Sequence, residues 1–213
     1  MPLKFPLFAT SLIALNLLSQ PLVAQSYLFD VREINVEDGL PHRRAFAVTQ
    51  DQDGFIWLST PGAISRYDGY RFKTYNASFL KISENNSVFL AADKDNNLWY
   101  CEKTGVESPN QSGIINTRKD TIYDLETFTH GLFSSEDVIH ISPSKINESD
   151  LFISTRQGII YKYSQVFEEV YRLPGEIQNF VICEALPDGS YWILHARTMA
   201  RVKNGQLLDS FVV

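Results

Sequence analysis

The chain has 213 residues, enough for one or two domains with a sizeable core, and it combines 44% hydrophobic with 21% charged residues. This balance is typical of a folded globular protein and excludes a largely disordered chain. The formal net charge of −6 at pH 7 argues against a nucleic-acid backbone or an anionic membrane surface as a partner.

The N-terminal segment has the layout of a secretory signal peptide. Lys4 supplies a positive charge, an apolar stretch runs from Phe5 to Leu18, and small residues follow up to Ala24. The apolar stretch is shorter than the roughly 20 residues that span a bilayer. The sequence therefore predicts a signal peptide over residues 1–24, with an uncleaved anchor as the alternative. We expect an exported mature chain without a membrane segment.

Four short strands are predicted between Ala45 and Tyr75. The stretch FIWLST, which begins at Phe55, is apolar on both of its alternating faces, so its sheet has to be covered on both sides. Two Asp-Gly pairs fit hairpin turns, because glycine accepts a positive φ without a Cβ clash. These pairs are Asp53-Gly54 and Asp68-Gly69. The pattern predicts a four-stranded antiparallel meander.

The same unit recurs along the chain. Trp57 is followed at intervals of roughly 40 to 53 residues by an equivalent aromatic residue, and the turn residues before it partly recur. The later copies are anchored by Trp99, Phe152 and Trp192. Sheets that are apolar on both faces bury themselves by packing on similar sheets. The sequence therefore predicts an all-β fold, a partial β-propeller over residues 27–213 whose ring is incomplete or open. Its four four-stranded blades are expected at about 45–76, 87–126, 138–173 and 177–213.

The sequence offers no catalytic constellation, and neither a metal nor a cofactor is predicted. The aspartates at 51, 53, 93 and 95 precede strands by only a few residues, which favours turn formation over a calcium loop. The four histidines have no metal-ligand spacing. Cys101 and Cys183 are assigned to inner strands of different blades, so two buried free thiols are expected, with a disulfide as the alternative.

The first unit resembles the two-component regulator propeller repeat of bacterial periplasmic sensors, as found in hybrid two-component histidine kinases of Bacteroidetes. The matching residues are Asp38-Gly39-Leu40, then Asp51-x-Asp53-Gly54-x-x-Trp57-x-Ser59-Thr60, then Arg66-Tyr67-Asp68-Gly69-x-x-Phe72-x-x-Tyr75. Ser59 and Ala63 stand where that repeat usually has glycine. The likeness weakens in the later copies, since the third has lost both the Asp-Gly turn and the tryptophan.

The resemblance implies a non-catalytic, periplasmic, ligand-sensing propeller, the N-terminal sensor portion of a two-component protein. The implied ligand is an oligosaccharide, and the implied partner is the remainder of a sensor kinase chain whose histidine kinase lies on a part absent here. A homodimer through the propeller stays open as a further partner. Two rival functions remain: a propeller enzyme acting on polysaccharide, such as a lyase or glycosidase, and a propeller scaffold that binds other proteins.

Ligand contacts are expected at loops on one mouth of the propeller. The candidates are the loop EDGLPHRR, with His42, Arg43 and Arg44, and the TPGA turn after the first inner strands. The two arginines would suit an acidic oligosaccharide, and the alternative is that they are simply solvated.

Overall fold

The structure is a computed structural model that describes residues 31–103, 111–147, 150–177 and 181–213. The chain divides into a short unit, Met1–Glu33, and a larger unit, Ile34–Val213. The predicted signal peptide and the start of the predicted propeller region at residue 27 lie outside the described residues. Within the described ranges, no helix is both long and apolar enough to cross a membrane.

The described strands form four antiparallel sheets of four, each with its strands in chain order, and we call these sheets blades 1 to 4. Blade 1 contains β1 (Ala47–Gln50), β2 (Ile56–Thr60), β3 (Ala63–Tyr67) and β4 (Phe72–Asn76). Blade 2 contains β5 (Ser87–Ala92), β6 (Asn97–Lys103), β7 (Ser112–Asn116) and β8 (Thr121–Tyr123). Blade 3 contains β9 (Val138–Pro143), β10 (Leu151–Thr155), β11 (Ile159–Tyr163) and β12 (Phe167–Arg172). Blade 4 contains β13 (Val181–Ala185), β14 (Tyr191–His195), β15 (Thr198–Lys203) and β16 (Gln206–Val212). The predicted all-β fold of four-stranded blades is confirmed.

Successive blades pack face to face through their inner strands. The strands β1 and β2 lie against β5, then β5 and β6 against β9, and β9 and β10 against β13. One hydrophobic cluster fills each of these three interfaces, centred on Trp57, Trp99 and Phe152 respectively. Blades 2 and 3 therefore contribute to a cluster on each of their faces, as a strand that is apolar on both sides requires.

The two fully buried tryptophans are each fixed by an aspartate six residues earlier. The carboxylate of Asp51 accepts the indole N–H of Trp57 at 2.7 Å and two backbone N–H groups of the intervening turn at 3.0 Å. Asp93 accepts the indole N–H of Trp99 at 2.9 Å and likewise accepts backbone N–H groups of its turn. A buried carboxylate needs several donors, and here the turn and the core residue supply them together.

A second contact recurs two residues after the anchor residues Trp57, Trp99 and Phe152. The hydroxyl of Ser59 donates to the carbonyl of Val88 in the next blade at 2.7 Å. The thiol of Cys101 donates to the carbonyl of Val138 at 3.6 Å. The hydroxyl of Ser154 donates to the carbonyl of Val181 at 3.5 Å. We call these three hydrogen bonds the inter-blade latch, because each joins a second strand to the innermost strand of the following blade.

The predicted Asp-Gly pairs lie in turns with left-handed glycines. Gly54 has φ +88° and Gly69 has φ +96°, values that a side chain would disfavour. The carboxylate of Asp68 accepts the backbone N–H groups of Tyr70 and Arg71 within its own turn at 2.8 and 2.7 Å. Asp53 instead reaches the next blade, where it forms an ion pair with Arg118 at 2.7 Å.

Blade 4 differs from the sequence-based expectation that all three tryptophans are equivalent. Trp57 and Trp99 have no exposed surface, whereas Trp192 is only partly buried. Leu186 occupies the position of Asp51, six residues before the tryptophan, and Leu194 occupies the position of Ser59. Blade 4 therefore lacks both the carboxylate and the latch donor that the other tryptophan-anchored blades carry.

The two cysteines are free and buried, as the sequence predicted. Cys101 lies on β6 and Cys183 on β13, in separate hydrophobic clusters. Burial raises the pKa of the Cys101 thiol to about 12. Burial also raises the pKa of Cys183.

Candidate functional site

A cavity of about 580 Å³ lies beside blade 2 and is named here the rim cavity. Two one-turn helices flank it: α1 (Ala77–Leu80), which follows β4, and α2 (Leu125–Phe128), which follows β8. Its lining combines aromatic rings with hydroxyl, amide and charged groups. The rings are Phe79, Tyr100 and Tyr123, and the polar groups include Lys81, Gln111, Asp120, Asp124 and Ser135.

A side chain just before each of the two helices caps its first turn and fixes its position. The Asn76 side chain accepts the backbone N–H of Phe79 at 3.0 Å, and Asp124 accepts the backbone N–H of Thr127 at 2.9 Å. An N-cap side chain of this kind satisfies a donor that the first helical turn leaves free. The caps thus fix the backbone at Phe79 and Asp124, two residues that line the cavity.

Gly113, which lines the cavity, leaves room for the side chain of Tyr100. A Cβ at this position would collide with the ring and hydroxyl of Tyr100, which lies across it on β6. The Tyr100 hydroxyl donates to the carbonyl of Leu80 at 3.1 Å, so this tyrosine ties blade 2 to α1. Burial raises the pKa of Tyr100 to about 12, and the hydroxyl therefore stays a donor at neutral pH.

The carboxylates of the cavity are held ionised. Asp120 accepts hydrogen bonds from Lys73 and from the Tyr75 hydroxyl, and these bonds lower its pKa. The hydroxyl and backbone N–H of Thr127 lower the pKa of Asp124. Both groups therefore offer acceptor oxygens to the cavity at neutral pH.

A second cavity, of about 470 Å³, lies where β1, β5 and β9 end. Its polar lining includes Thr49, Gln50, Gln52, Ser144 and Lys145. We call it the inner-strand cavity. Among the described residues that line it there is no aromatic ring, whereas the rim cavity has three.

The residues predicted to bind ligand lie at the start of β1, away from both cavities. His42 is half-buried and accepts the backbone N–H of Arg44 at 3.0 Å, while Arg43 and Arg44 are exposed. The Arg44 guanidinium lies 5.1 Å from the centre of the Phe46 ring. Because β1 and β2 are antiparallel, the loop before β1 and the turn at residues 60–63, the second predicted ligand contact, lie at the same end of the strands of blade 1. None of these residues lines either cavity.

Sequence reasoning missed the rim-cavity residues. Phe79, Tyr100 and Tyr123 belong to different strands and helices of two blades, and no motif joins them. It also assigned Asp51 and Asp93 only to turns, although each lies six residues before a tryptophan whose indole N–H needs an acceptor. Among the residues that the structure describes, no group of three or more His, Cys, Asp or Glu side chains could hold a metal ion.

Comparison with known proteins identifies one repeat directly. Residues 39–62 match the family model of the two component regulator propeller. No match was found among curated protein sequences.

Solved structures share the fold at low sequence identity. The extracellular domain of BT3049 from B. thetaiotaomicron, a protein assigned as a hybrid two component system, aligns with 20% identity and a TM-score of 0.56 over 81% of this chain. The extracellular domain of BT4673 from the same organism aligns with 18% identity and a TM-score of 0.51 over 82% of this chain. This chain spans 25% of the length of each of those two structures. Virginiamycin B lyase from Staphylococcus aureus aligns with 16% identity and a TM-score of 0.51, covering 79% of this chain and 55% of the lyase.

The predicted resemblance is thus confirmed where it was strongest. The matched segment runs from the turn before β1 through Trp57 to the turn after β2. Residues 39–62 are a two component regulator propeller repeat, and the chain that carries them is built of propeller blades.

Proposed function

We propose that this chain is a non-catalytic, ligand-sensing propeller segment of an exported two-component signalling protein, and that its ligand is an oligosaccharide bound in the rim cavity. The match of residues 39–62 to the two component regulator propeller carries the proposal. The signal-peptide layout of residues 1–24 supports export, and hence a periplasmic location. The histidine kinase would lie on another part of the signalling protein.

The rim cavity suits a ligand that is rich in hydroxyl groups. Phe79 leaves 48% of its surface exposed, so its ring can cover the apolar C–H face of a sugar. Asp120 and Asp124 offer acceptor oxygens, and Lys81 and Gln111 offer donors. A volume of about 580 Å³ falls within the usual range of small-ligand pockets.

The carboxylates of the rim cavity suit binding better than catalysis. Glycoside hydrolysis needs one carboxylic acid with a raised pKa to protonate the leaving oxygen. Asp120 and Asp124 both have lowered pKa values, because each accepts hydrogen bonds from the protein. Neither carboxyl group is therefore suited to protonate a leaving oxygen.

A melting-temperature screen against an oligosaccharide panel tests the proposal, with chromatography of each ligand after incubation. We expect at least one ligand to raise the melting temperature and to be recovered intact. Phe79→Ala should weaken that ligand's binding about tenfold, since it removes an exposed ring from the cavity. Tyr70→Ala is the matched control, because Tyr70 is equally aromatic, more exposed and outside the cavity.

Three other results of this screen would each contradict a different part of the proposal. Recovery of a cleaved product would favour the enzyme alternative. A ligand whose binding is lost in His42→Ala or Arg43→Ala and unchanged in Phe79→Ala would move the site to the loop before β1. No stabilisation by any member of the panel would reject an oligosaccharide ligand and favour a protein-binding scaffold.

A further inference from the structure

The rim cavity is built on the interface of blades 1 and 2. Its lining includes Phe79 on α1, the helix that directly follows β4 of blade 1, and Tyr100 on β6 of blade 2. Ala77 and Leu80 of α1 also pack in the hydrophobic cluster around Trp57, which joins the two blades. A ligand in the cavity is therefore bound next to the contact of one blade with the other.

One carboxylate belongs to both the cavity and the interface. Asp120, in the turn between β7 and β8, lines the cavity. It also accepts hydrogen bonds from the Lys73 ammonium and the Tyr75 hydroxyl, two side chains of β4 in blade 1. A carboxylate offers roughly four acceptor positions, so Asp120 keeps acceptors for a ligand hydroxyl. The position of this carboxylate in the cavity thus depends on blade 1.

Tyr75 connects the cavity to the centre of the interface. Only 5% of its surface is exposed. Its ring contacts Phe79, which lines the cavity, and Trp57, the anchor of blade 1, each with 5.7 Å between the ring centres. Neither Tyr75 nor Lys73 lines the cavity itself. Both side chains can therefore affect a ligand there only through the residues that they contact.

A second ion pair joins the same two blades away from the cavity. The Arg118 guanidinium donates two hydrogen bonds to the carboxylate of Asp53, at 3.0 and 2.7 Å. Arg118 lies two residues before Asp120, in the same turn of blade 2, yet neither Arg118 nor Asp53 lines the cavity. The interface thus contains one charged contact that reaches the cavity and one that does not.

We propose that Lys73 and Tyr75 are positioning residues of the rim cavity: they hold the Asp120 carboxylate where a ligand hydroxyl can donate to it, and a bound ligand in turn tightens the contact of blade 1 with blade 2. This inference rests on the proposed function, a hydroxyl-rich ligand in that cavity. An acceptor that is already fixed costs less conformational entropy on binding. The coupling is reciprocal, so whatever affinity the contact adds for the ligand, the ligand adds for the contact.

Binding measurements by calorimetry test the positioning role. The probe is the hexose or hexuronate disaccharide or trisaccharide that raises the melting temperature of the unmodified chain most. Tyr75→Phe removes only the hydroxyl and keeps the ring beside Trp57 and Phe79, and we expect it to weaken probe binding about fivefold or more. Lys73→Met should weaken it similarly, whereas Lys73→Arg keeps a cationic donor and should restore most of the affinity.

Arg118→Met is the matched control. It also removes an ion pair between blades 1 and 2, but one that does not reach the cavity. We expect the dissociation constant of the probe to stay unchanged in this variant. Circular dichroism of every variant separates a loss of binding from a loss of folding.

Hydrogen exchange tests the reverse direction of the coupling. The outer strand β4 (Phe72–Asn76) carries Lys73 and Tyr75 but contributes no residue to the cavity lining. We expect the probe to slow amide exchange in β4, because outer strands exchange through local opening. The equivalent outer strand of blade 3, β12 (Phe167–Arg172), is the reference and should be unaffected.

The outcomes distinguish this inference from the proposed function. A probe that binds equally well to Tyr75→Phe, Lys73→Met and the unmodified chain overturns the inference and leaves the proposed function standing. Equal weakening by Arg118→Met would show a general loosening of the interface and would also overturn the positioning role. Exchange in β4 that is not slowed by the bound probe would overturn the reciprocal tightening. The absence of any binding probe would reject the proposed function, and this inference with it.

Discussion

The Ser59 hydroxyl lies 2.7 Å from the carbonyl oxygen of Val88 and joins the second strand of blade 1 to the innermost strand of blade 2. Cys101 and Ser154 make the same contact one and two blades later, with longer distances. The repeat therefore encodes a hydrogen bond between blades as well as the hydrophobic cluster around each anchor residue. Three donor positions with two kinds of group, two hydroxyls and one thiol, serve one structural role.

Removing the shortest latch bond should cost the most stability. Ser59 is fully buried, so Ser59→Ala leaves the Val88 carbonyl without this donor, and we expect a loss of about 1–3 kcal/mol in the free energy of unfolding. Ser154→Ala is the matched comparison, since its bond is 3.5 Å long, and its loss should be smaller. Urea unfolding measures both. Equal losses would argue that the latch distance does not determine its strength.

The aspartates that hold the tryptophans should be among the most sensitive polar positions. Asp51→Ala removes the acceptor of the Trp57 indole N–H and of two backbone N–H groups, and we expect a loss of about 3 kcal/mol or more. Asp51→Asn keeps one acceptor oxygen and should lose less. The same ordering is expected at Asp93. Asp51→Ala unfolding at the same urea concentration as Asp51→Asn would contradict this assignment.

Asp188 should give the fold a pH dependence in the acid range. Hydrogen bonds from the Ser190 hydroxyl and backbone N–H, and then from Arg201, lower its pKa to about 2. Because the unfolded value is higher, about 3.9, the carboxylate stabilises the folded state fully above about pH 4. That contribution is lost as the pH falls through about 2. We expect the urea midpoints of the unmodified chain and Asp188→Asn to differ at neutral pH, to approach each other below about pH 4 and to converge near pH 2.

The Arg201→Gln variant is the control for the pH dependence that we assign to Asp188. It removes one cause of the lowered pKa, so the convergence should move to higher pH. A difference between the unmodified chain and Asp188→Asn that persists unchanged to about pH 2 would show that the charge of Asp188 is not what stabilises this turn.

The two thiols should be unreactive in the folded protein. Cys101 and Cys183 are buried, and burial raises both pKa values, so the thiolate is scarce and inaccessible at pH 8. We expect a thiol reagent to modify neither cysteine natively and both in urea. Cys101→Ser should retain a donor to Val138 and cost less stability than Cys101→Ala. Rapid modification of Cys183 in the folded chain would mean that the interface of blades 3 and 4 opens.

The sequence predicted the blades because the residues that identify each blade lie close together in the chain. An Asp-Gly turn and an aromatic anchor lie within a few residues of each other, and the copies of Trp57 reveal the period. The different state of Trp192 was not predicted, although Leu186 and Leu194 replace the aspartate and the latch residue there, because the roles of those two positions became visible only in the structure. The rim cavity was not predicted either, because its lining combines Phe79 from the end of blade 1 with Tyr100 and Gly113 of blade 2, which no local motif joins. The loop with His42, Arg43 and Arg44 stays a prediction.

Hydrogen exchange of the three indole N–H groups tests most directly the claim that each blade buries the anchor of the one before it. We expect the Trp57 and Trp99 indoles, which donate to Asp51 and Asp93 under the next blade, to exchange only on unfolding. Trp192 should exchange at least about tenfold faster. Equal protection of all three indoles, or rapid exchange at Trp57, would contradict the repeated packing of the blades.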